Sequence, residues 1–147
     1  MKGLREDSAP AKAALRVIID SNFLFIPMQF KVDIAEEIPN LLNRRVKLVV
    51  PRPVYEEVER VAKCGTEKER RQGAIALEIG KRSCEIIDVK LMPGETVDGL
   101  IVRLARELGC PVATNDRKLR KRLRESNIPV IFLRQRSHLA VDGYVGF

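Results

Sequence analysis

The chain of 147 residues suits a single globular domain, because 45% of its residues are hydrophobic and this length can bury a sizeable core. Its net charge of +7 favours a polyanionic partner, with nucleic acid the first candidate. Three widely spaced cysteines and one histidine argue against a disulfide framework or a structural zinc site, and no apolar run is long enough for a membrane span. We therefore expect a cytoplasmic protein with reduced thiols.

Strands and helices are predicted to alternate along most of the chain. Short apolar runs predict strands at residues 15–19, 46–50, 84–89, 111–114 and 128–133. Between them, apolar residues at helical spacing predict helices over about 34–44 (interrupted near Pro39), 53–63, 67–82, 96–108 and 116–125, while residues 21–27 lead the chain away from the first strand. This alternation predicts a three-layer α/β/α sandwich with a central, mostly parallel sheet of about five strands.

The ends of the chain give weaker signals than its middle. Residues 1–14 are polar and mixed in character and are predicted to form a flexible N-terminal tail. Residues 15–134 carry the alternating pattern and form the predicted domain. Residues 135–147 are assigned to a C-terminal tail for which the sequence gives no firm structure.

Local signals predict where several helices begin and end. Pro53 suits the first position of a helix, because its missing N–H has no partner there in any case. Thr66 can cap the helix that follows it, and Gly109 can end the helix that precedes it.

Four acidic residues lie where a parallel sheet would bring them together. Asp20 directly follows the apolar run of the first predicted strand, and Asp116 follows the fourth. Glu57 and Asp98 lie near the starts of two helices. Because strand ends and helix starts share one edge of such a sheet, the four side chains are expected to meet there. Carboxylates gathered without cations repel one another, so the pattern predicts a divalent metal site.

Helical geometry selects Glu57 and Asp98 from their acidic neighbours. Glu57 lies on the flank of the packed face formed by the valines of its helix, whereas Glu56 and Glu59 point toward solvent. Asp98 lies on the flank of its own helix in the same way, and Glu95 is expected to project outward. Two helices thus each supply one carboxylate toward the predicted edge.

Each of these carboxylates also has an ordinary structural explanation. Aspartate is a favoured N-cap, and acidic residues near a helix start complement the helix dipole. Taken singly, this explanation suffices for Asp98 and Asp116, whereas Asp20 follows a buried strand and needs compensation for its charge. The coincidence of all four favours the metal site.

Four stretches of the chain resemble the PIN-domain ribonuclease family, in the family's order. They are Val17-Ile18-Ile19-Asp20-Ser21-Asn22, Val54-Tyr55-Glu56-Glu57-Val58, Val97-Asp98-Gly99-Leu100-Ile101 and Val112-Ala113-Thr114-Asn115-Asp116. The resemblance covers most of the chain from Val17 to Leu133, and the set of four is more specific than any one motif. Ser21 occupies a position where the family more often has threonine.

The resemblance implies a metal-dependent endoribonuclease that hydrolyses single-stranded or looped RNA. Asp20, Glu57, Asp98 and Asp116 would be its catalytic and metal-binding residues, with Mg²⁺ or Mn²⁺ as cofactor. Asn22, Thr114 and Asn115 would be polar residues of the same pocket. We expect Asp20 and Asp116 to be direct ligands, Asp98 to complete the site, and Glu57 to bind through water or to position the nucleophile.

Within the family, the last third of the chain resembles archaeal relatives of the PIN nucleases that mature small-subunit ribosomal RNA. This subgroup implies a ribosomal RNA precursor as substrate, and PIN relatives are often homodimers. The toxin ribonucleases of toxin–antitoxin pairs are the competing subgroup, and they would imply an antitoxin partner. A catalytically silent RNA-binding or ribosome-assembly factor is a further alternative.

A phosphatase of the haloacid-dehalogenase type also begins with a strand that ends in aspartate. That chemistry needs a second aspartate two residues later, where this chain has Asn22. The phosphatase alternative is therefore weaker than the nuclease. His138 lies outside these motifs and is expected to be a surface residue rather than a base.

The helix after Asp116 is strongly basic and is a candidate RNA-binding surface. Leu119 and Leu123 form its packed side. Its basic residues are Arg117, Lys118, Arg120, Lys121, Arg122 and Arg124. A solvated basic face is the ordinary explanation, but the position beside a predicted metal site favours contact with RNA phosphates.

Overall fold

The computed structural model describes residues 13–146, and the predicted flexible tail thus lies almost wholly outside the described residues. Within that range the strands are β1 (Leu15–Ile19), β2 (Val46–Pro51), β3 (Cys84–Ile87), β4 (Val112–Ala113), β5 (Val130–Arg134) and β6 (His138–Asp142). The helices are α1 (Ser21–Phe30), α2 (Ile34–Leu42), α3 (Arg52–Cys64), α4 (Glu67–Ser83), α5 (Val97–Leu108) and α6 (Arg117–Glu125).

The strands form one sheet in the order β3-β2-β1-β4-β5-β6. All neighbouring strands are parallel except β6, which runs antiparallel to β5. The predicted α/β/α sandwich with a mostly parallel sheet is confirmed. From β1 the chain builds the sheet outward to β3 and then crosses back to β4 on the other side of β1, so the topology reverses between β1 and β4.

The centre of the sheet is completely buried. Val17, Ile18 and Ile19 of β1 are each 0% exposed, which is expected for a strand with helices over both faces. Burying each such side chain contributes roughly 1.5–3 kcal/mol relative to exposure. The ends of β1 and β4 are therefore rigid supports for the residues that follow them.

Helix α1 was not predicted from the sequence. The expected connecting segment at residues 21–27 is instead the first part of a ten-residue helix, which starts at the N-cap Asp20. Phe23, Leu24 and Ile26 are buried on several sides of the helix, so no helical periodicity marks it in the sequence. Pro27 lies inside it, although proline removes a backbone donor. Likewise, α2 continues through Pro39, so the predicted interruption there is wrong.

The helices that position the candidate site begin close to where the sequence placed them. Helix α3 starts at Arg52, one residue before Pro53. Thr66 caps α4 in a capping box with Glu69, and Gly109 ends α5 with a φ of 62°. A Cβ atom on Gly73 of α4 would lie 2.8 Å from the backbone of α3, so this glycine allows the two helices to pack closely.

The C-terminal segment contains a sixth strand that the sequence did not predict. Strand β6 pairs with β5 along its whole length, and its apolar run is only three residues long, between His138 and Asp142. His138 lies on this strand, where it is exposed and within 2.9 Å of the Ser137 hydroxyl. Within residues 13–146, no helix combines the length and apolar character needed to cross a membrane.

Candidate active site

The fold places the predicted acidic residues at the edge of the sheet where its topology reverses. Asp20 directly follows β1, and Asp116 caps α6 three residues beyond the end of the neighbouring parallel strand β4. Glu57 lies in the first half of α3, and Asp98 is the second residue of α5. Open α/β sheets bind their ligands at the carboxyl ends of strands at such a point.

Asp20 is held in one orientation by three donors. The side chain is only 5% exposed. Its Oδ1 accepts a hydrogen bond of 2.8 Å from the Ser21 N–H, and its Oδ2 accepts bonds of 2.7 Å from the Thr114 hydroxyl and 3.0 Å from the Asn22 amide. Bonds of this kind stabilise the charged carboxylate in an otherwise apolar surrounding.

The buried Thr114 hydroxyl connects two of the four acidic residues. It donates to Asp20, and it accepts a hydrogen bond of 3.1 Å from the N–H of Asp116. These contacts join residues that are 94 positions apart in the sequence. The hydroxyl therefore fixes the start of α6 relative to the end of β1.

The two predicted asparagines join the same segments through their amide groups. The Asn22 Oδ1 accepts a bond of 3.1 Å from the Asn115 N–H, and the Asn115 Oδ1 accepts one of 2.8 Å from the Leu133 N–H. The segments that follow β1 and β4 are thus hydrogen bonded to each other and to β5. Asn22, Thr114 and Asn115 form the polar frame that surrounds Asp20.

One carboxylate oxygen of Asp116 accepts hydrogen bonds from the backbone of α6, and the other accepts none from the described residues. Its Oδ1 accepts hydrogen bonds of 2.9 Å from the Lys118 N–H and 3.2 Å from the Leu119 N–H, which is the N-cap role that the sequence suggested. Among the described residues, no donor contacts its Oδ2. The capping role and a ligand role are therefore compatible.

The pKa values show that the carboxylates interact. Burial raises the pKa of Asp20, and repulsion from Asp98 and Asp116 raises it further, while the bonds from Thr114 and Ser21 oppose the change. Burial and the charges of Asp20 and Asp98 raise the pKa of Glu57. Burial and the charge of Asp116 raise the pKa of Asp98. Each carboxylate thus lies within electrostatic reach of at least one other.

The donor chemistry of this cluster fits a hard divalent cation held partly through water. Within the part of the chain that the structure describes, no three acidic, histidine or cysteine side chains converge closely enough to form a preformed ligand cage. Mg²⁺ does not require one, because it commonly keeps several waters and binds one or two carboxylates directly. A cation at this edge would also offset the repulsion that raises the carboxylate pKa values.

Glu95 does not project outward, which corrects the prediction from the helical pattern. Its side chain is 15% exposed and accepts two bonds of 2.9 Å from the Arg103 guanidinium and one of 3.0 Å from the Met92 N–H. These bonds lower the pKa of Glu95 to about 2. The helical wheel failed because Glu95 precedes α5, and its side chain folds back to accept hydrogen bonds from Met92 and Arg103.

The basic residues of α6 fall into two groups with different surroundings. Arg120 and Arg124 both form ion pairs with Asp142 of β6, and the Arg120 guanidinium lies 3.8 Å from the centre of the Phe132 ring. Arg117, Lys118, Lys121 and Arg122 are exposed. Arg122 is close enough to Asp98 to oppose the rise in its pKa.

Two cavities lie at opposite edges of the sheet. A cavity of about 630 Å³ is lined by Leu15, Cys110 and the segment around Tyr144, so it is remote from the acidic residues. A smaller cavity of about 350 Å³ adjoins Glu57 and includes Phe25 and Arg60. Sequence reasoning missed Phe25 because α1 was not predicted, although the helical spacing between Glu57 and Arg60 could have indicated Arg60.

Known proteins resemble this chain along most of its length. Residues 17–136 match the family profile described as a PIN like domain. The ribonuclease VapC4 of Methanocaldococcus jannaschii is 31% identical over 132 residues, which cover 88% of this chain and 98% of that protein.

Two solved structures share the fold. The PIN domain endonuclease Utp24 aligns with a TM-score of 0.73 and 28% identity, over 88% of this chain and 92% of the other. A domain of a functionally unknown protein from Methanocaldococcus jannaschii aligns with a TM-score of 0.56 and 16% identity, over 91% and 98% of the two chains. The second comparison supports the fold alone.

Proposed function

The chain belongs to the PIN-like domain family, and from that premise we propose that it is a divalent-metal-dependent endoribonuclease. The observation that carries the proposal is the set of four carboxylates at the reversal point of the sheet, each close enough to repel at least one other. Its relatives include a ribonuclease and an endonuclease, which supports RNA as the substrate and internal cleavage as the reaction.

Asp20, Asp98 and Asp116 are the residues that would hold Mg²⁺ or Mn²⁺, and Glu57 would bind through water or position the attacking water. A bound divalent ion supplies Lewis-acid stabilisation of the charge that develops at the scissile phosphate. The chain's own contribution is orientation: Ser21, Asn22 and Thr114 fix the Asp20 carboxylate. A fixed carboxylate needs no reorganisation during the reaction.

We place the RNA across the edge of the sheet, with phosphates over the exposed basic residues of α6. The net charge of +7 supports this arrangement, since phosphate contacts dominate the affinity of proteins for nucleic acids. Ribosomal RNA precursors are our preferred substrate, on the resemblance of the motifs in the last third of the chain.

A toxin-type ribonuclease is the second candidate. The similarity to ribonuclease VapC4 along 98% of that protein favours it, and it would imply an antitoxin partner. A homodimer is compatible with either role. Co-purification from the native host separates the two, because a small tightly bound protein supports the toxin and bound ribosomal RNA precursor supports processing.

Asp98→Asn provides the clearest test of catalysis, because no donor among the described residues is arranged around this side chain. Asp20→Asn is less clean, since its new NH₂ group would face donors that now serve the carboxylate. We expect Asp98→Asn to lower metal-dependent RNA cleavage by about 100-fold or more, the size typical of losing a group that stabilises developing charge.

The matched control is Asp88→Asn, which removes a carboxylate that is 82% exposed and paired with Arg52. It should cleave at the wild-type rate. Wild-type activity in Asp98→Asn would refute the assignment of Asp98. Purified wild type that cleaves no RNA with Mg²⁺ or Mn²⁺ would instead support the catalytically silent RNA-binding factor.

A further inference from the structure

The cavity beside Glu57 contains a cation and an aromatic ring that no residue assignment above uses. It is an open cavity with a volume of about 350 Å³, within the range of small-ligand pockets. Its lining residues are Ser21, Phe25, Glu57, Val58, Arg60 and Val61. Ser21 and Glu57 belong to the candidate active site, so anything bound in this cavity contacts that site directly.

Arg60 supplies a cation that has no ion-pair partner among the described residues. It is exposed on α3, one turn beyond Glu57. By contrast, Arg52, Arg103, Arg120 and Arg124 each form an ion pair with an acidic side chain. The charge of Arg60 opposes the rise in the pKa of Glu57, but Arg60 forms no salt bridge among the described residues, so its planar donors remain able to bind a phosphate group.

Phe25 supplies an aromatic surface beside that cation. Its neighbours Phe23 and Leu24 are 0% exposed, whereas Phe25 is half-buried and lines the cavity. An aromatic ring and an arginine in one small cavity match the two parts of a nucleotide, since bases stack on aromatic rings and phosphates bind guanidinium groups.

We propose that this cavity binds one unpaired RNA nucleotide next to the scissile phosphate, with its base against Phe25 and its phosphate at Arg60. The inference rests on the proposed function and deepens it. The cavity lies on the α1 and α3 side of the carboxylates, whereas α6 lies on the β4 side. An RNA strand that crosses the edge of the sheet would thus meet cations at both ends.

The arrangement selects single-stranded RNA. A base in a duplex is stacked on its neighbours and paired, so it cannot enter the cavity without unstacking. A single aromatic surface accepts any base, because every base has a π face. The cavity therefore selects for strandedness at one position rather than for sequence along the RNA.

The test measures binding of a fluorescent single-stranded RNA in EDTA, where the RNA stays intact, over a salt series. Arg60→Gln should lower the salt slope by about 0.7, the value for one phosphate contact. Phe25→Leu keeps an apolar side chain but removes the ring, and it should weaken binding by about tenfold. Arg82→Gln is the matched control, because Arg82 is exposed at the opposite edge of the sheet.

An abasic scan of the RNA identifies the base. At one position of the RNA, removal of the base should make the wild type and Phe25→Leu bind with equal affinity. A fully paired RNA hairpin should also bind the two proteins with equal affinity. Wild-type affinity and salt slope in both variants would overturn the inference. Arg60→Gln decides the matter alone if Phe25→Leu does not fold, because Arg60 is exposed.

The inference and the proposed function fail in different ways. If the wild type cleaves RNA while both variants bind and cleave as the wild type does, only the cavity assignment is lost. If the wild type does not cleave RNA with either metal, the proposed function is lost, and the binding measurements still decide whether the cavity holds a nucleotide.

Discussion

The hydroxyl of Thr114 is the smallest group on which the geometry of the candidate site depends. It donates to Asp20 and accepts from the N–H of Asp116, and Thr114 itself is 0% exposed. Thr114→Val keeps the shape of the side chain but leaves the partly buried Asp116 N–H without its acceptor. We expect a loss of about 1–3 kcal/mol in the free energy of unfolding, the usual effect of an unsatisfied buried polar group.

Cleavage should fall with stability in Thr114→Val, because Asp20 loses its shortest hydrogen bond. Thr114→Ser is the control, since it retains the hydroxyl and should keep most of the activity. Thermal melting and single-turnover cleavage measured on both variants check this prediction. Equal activity in the valine and serine variants would mean that the hydroxyl does not orient Asp20.

The raised carboxylate pKa values also make a prediction about pH. A carboxyl group whose pKa is higher in the folded state binds more protons there than in the unfolded chain, so the free energy of unfolding falls as pH rises through the interval between the two values. Asp20, Glu57 and Asp98 all act in this direction. In the metal-free protein, the contribution of these three groups to the free energy of unfolding is therefore lower at neutral pH than it is below the usual carboxyl pKa.

Asp98→Asn removes one of these charges and should raise the melting temperature in EDTA at pH 7. Asp98 is partly exposed, so we expect an effect on the order of 0.5 kcal/mol, or about 2 °C for a chain of this size. The difference should vanish well below pH 3.8, the ordinary pKa of aspartate, because the wild-type group is then protonated in both the folded and the unfolded state. A variant that is less stable than wild type at pH 7 would contradict the prediction.

The positions of the candidate site residues in the fold were predictable where these residues follow regular structure. Asp20 and Asp116 follow apolar strands, and Glu57 and Asp98 lie at helical positions that a wheel can evaluate. Glu95 was placed wrongly because its position depends on a partner, Arg103, eight residues away. No local pattern reports such a contact.

At the scale of elements, the two sides of α6 have different roles. Lys118 and Lys121 are exposed, while Arg120 and Arg124 are held by Asp142. We expect Lys118→Gln combined with Lys121→Gln to lower the salt slope of RNA binding by about 1.4, or about 0.7 for each phosphate contact. The melting temperature should change little, because exposed lysines contribute little to stability.

Arg120→Gln combined with Arg124→Gln is the matched control for the lysine pair. It should lower stability and leave the salt slope of RNA binding unchanged. It removes two ion pairs and the contact with Phe132, so we expect a loss of roughly 1–2 kcal/mol in the free energy of unfolding. The salt slope should stay near that of the wild type. If this pair lowers the slope as much as the lysine pair does, all of α6 binds RNA and the division is wrong.

The elements that the sequence missed share a physical cause. Helix α1 is apolar on several sides and contains Pro27, and β6 has only a three-residue apolar run between His138 and Asp142. Both are specified by the neighbours that they pack against rather than by their own periodicity. The parallel strands and α5 were predictable because their apolar residues repeat at the spacing of the element.

For the molecule as a whole, a ligand that binds only the folded state stabilises it by mass action. Mg²⁺ or Mn²⁺ at about 100 times its dissociation constant should add about 2.7 kcal/mol to the free energy of unfolding. The gain should be smaller in Asp116→Asn. Asparagine is as good an N-cap as aspartate, so this variant loses charge while it keeps the cap.

Calorimetric titration of both proteins with each metal gives the comparison directly. Equal affinities would show that Asp116 only caps α6. A gain that persists in EDTA would show that the stabilisation does not come from a divalent ion.

The topology of the sheet also determines when the candidate site exists. Strand β4 has two residues, and its register with β1 is fixed by Ile18 beside Val112 and Ile19 beside Ala113. Asp20 and Asp116 come together only through this pairing of distant segments. A transient opening of the second half of the chain, from β4 to β6, would separate them while β1, β2 and β3 stayed paired. An ion or an RNA strand bound to both halves would therefore oppose this opening. It would slow the exchange of the β4 amide hydrogens with solvent more than it slows the exchange of the β2 amide hydrogens.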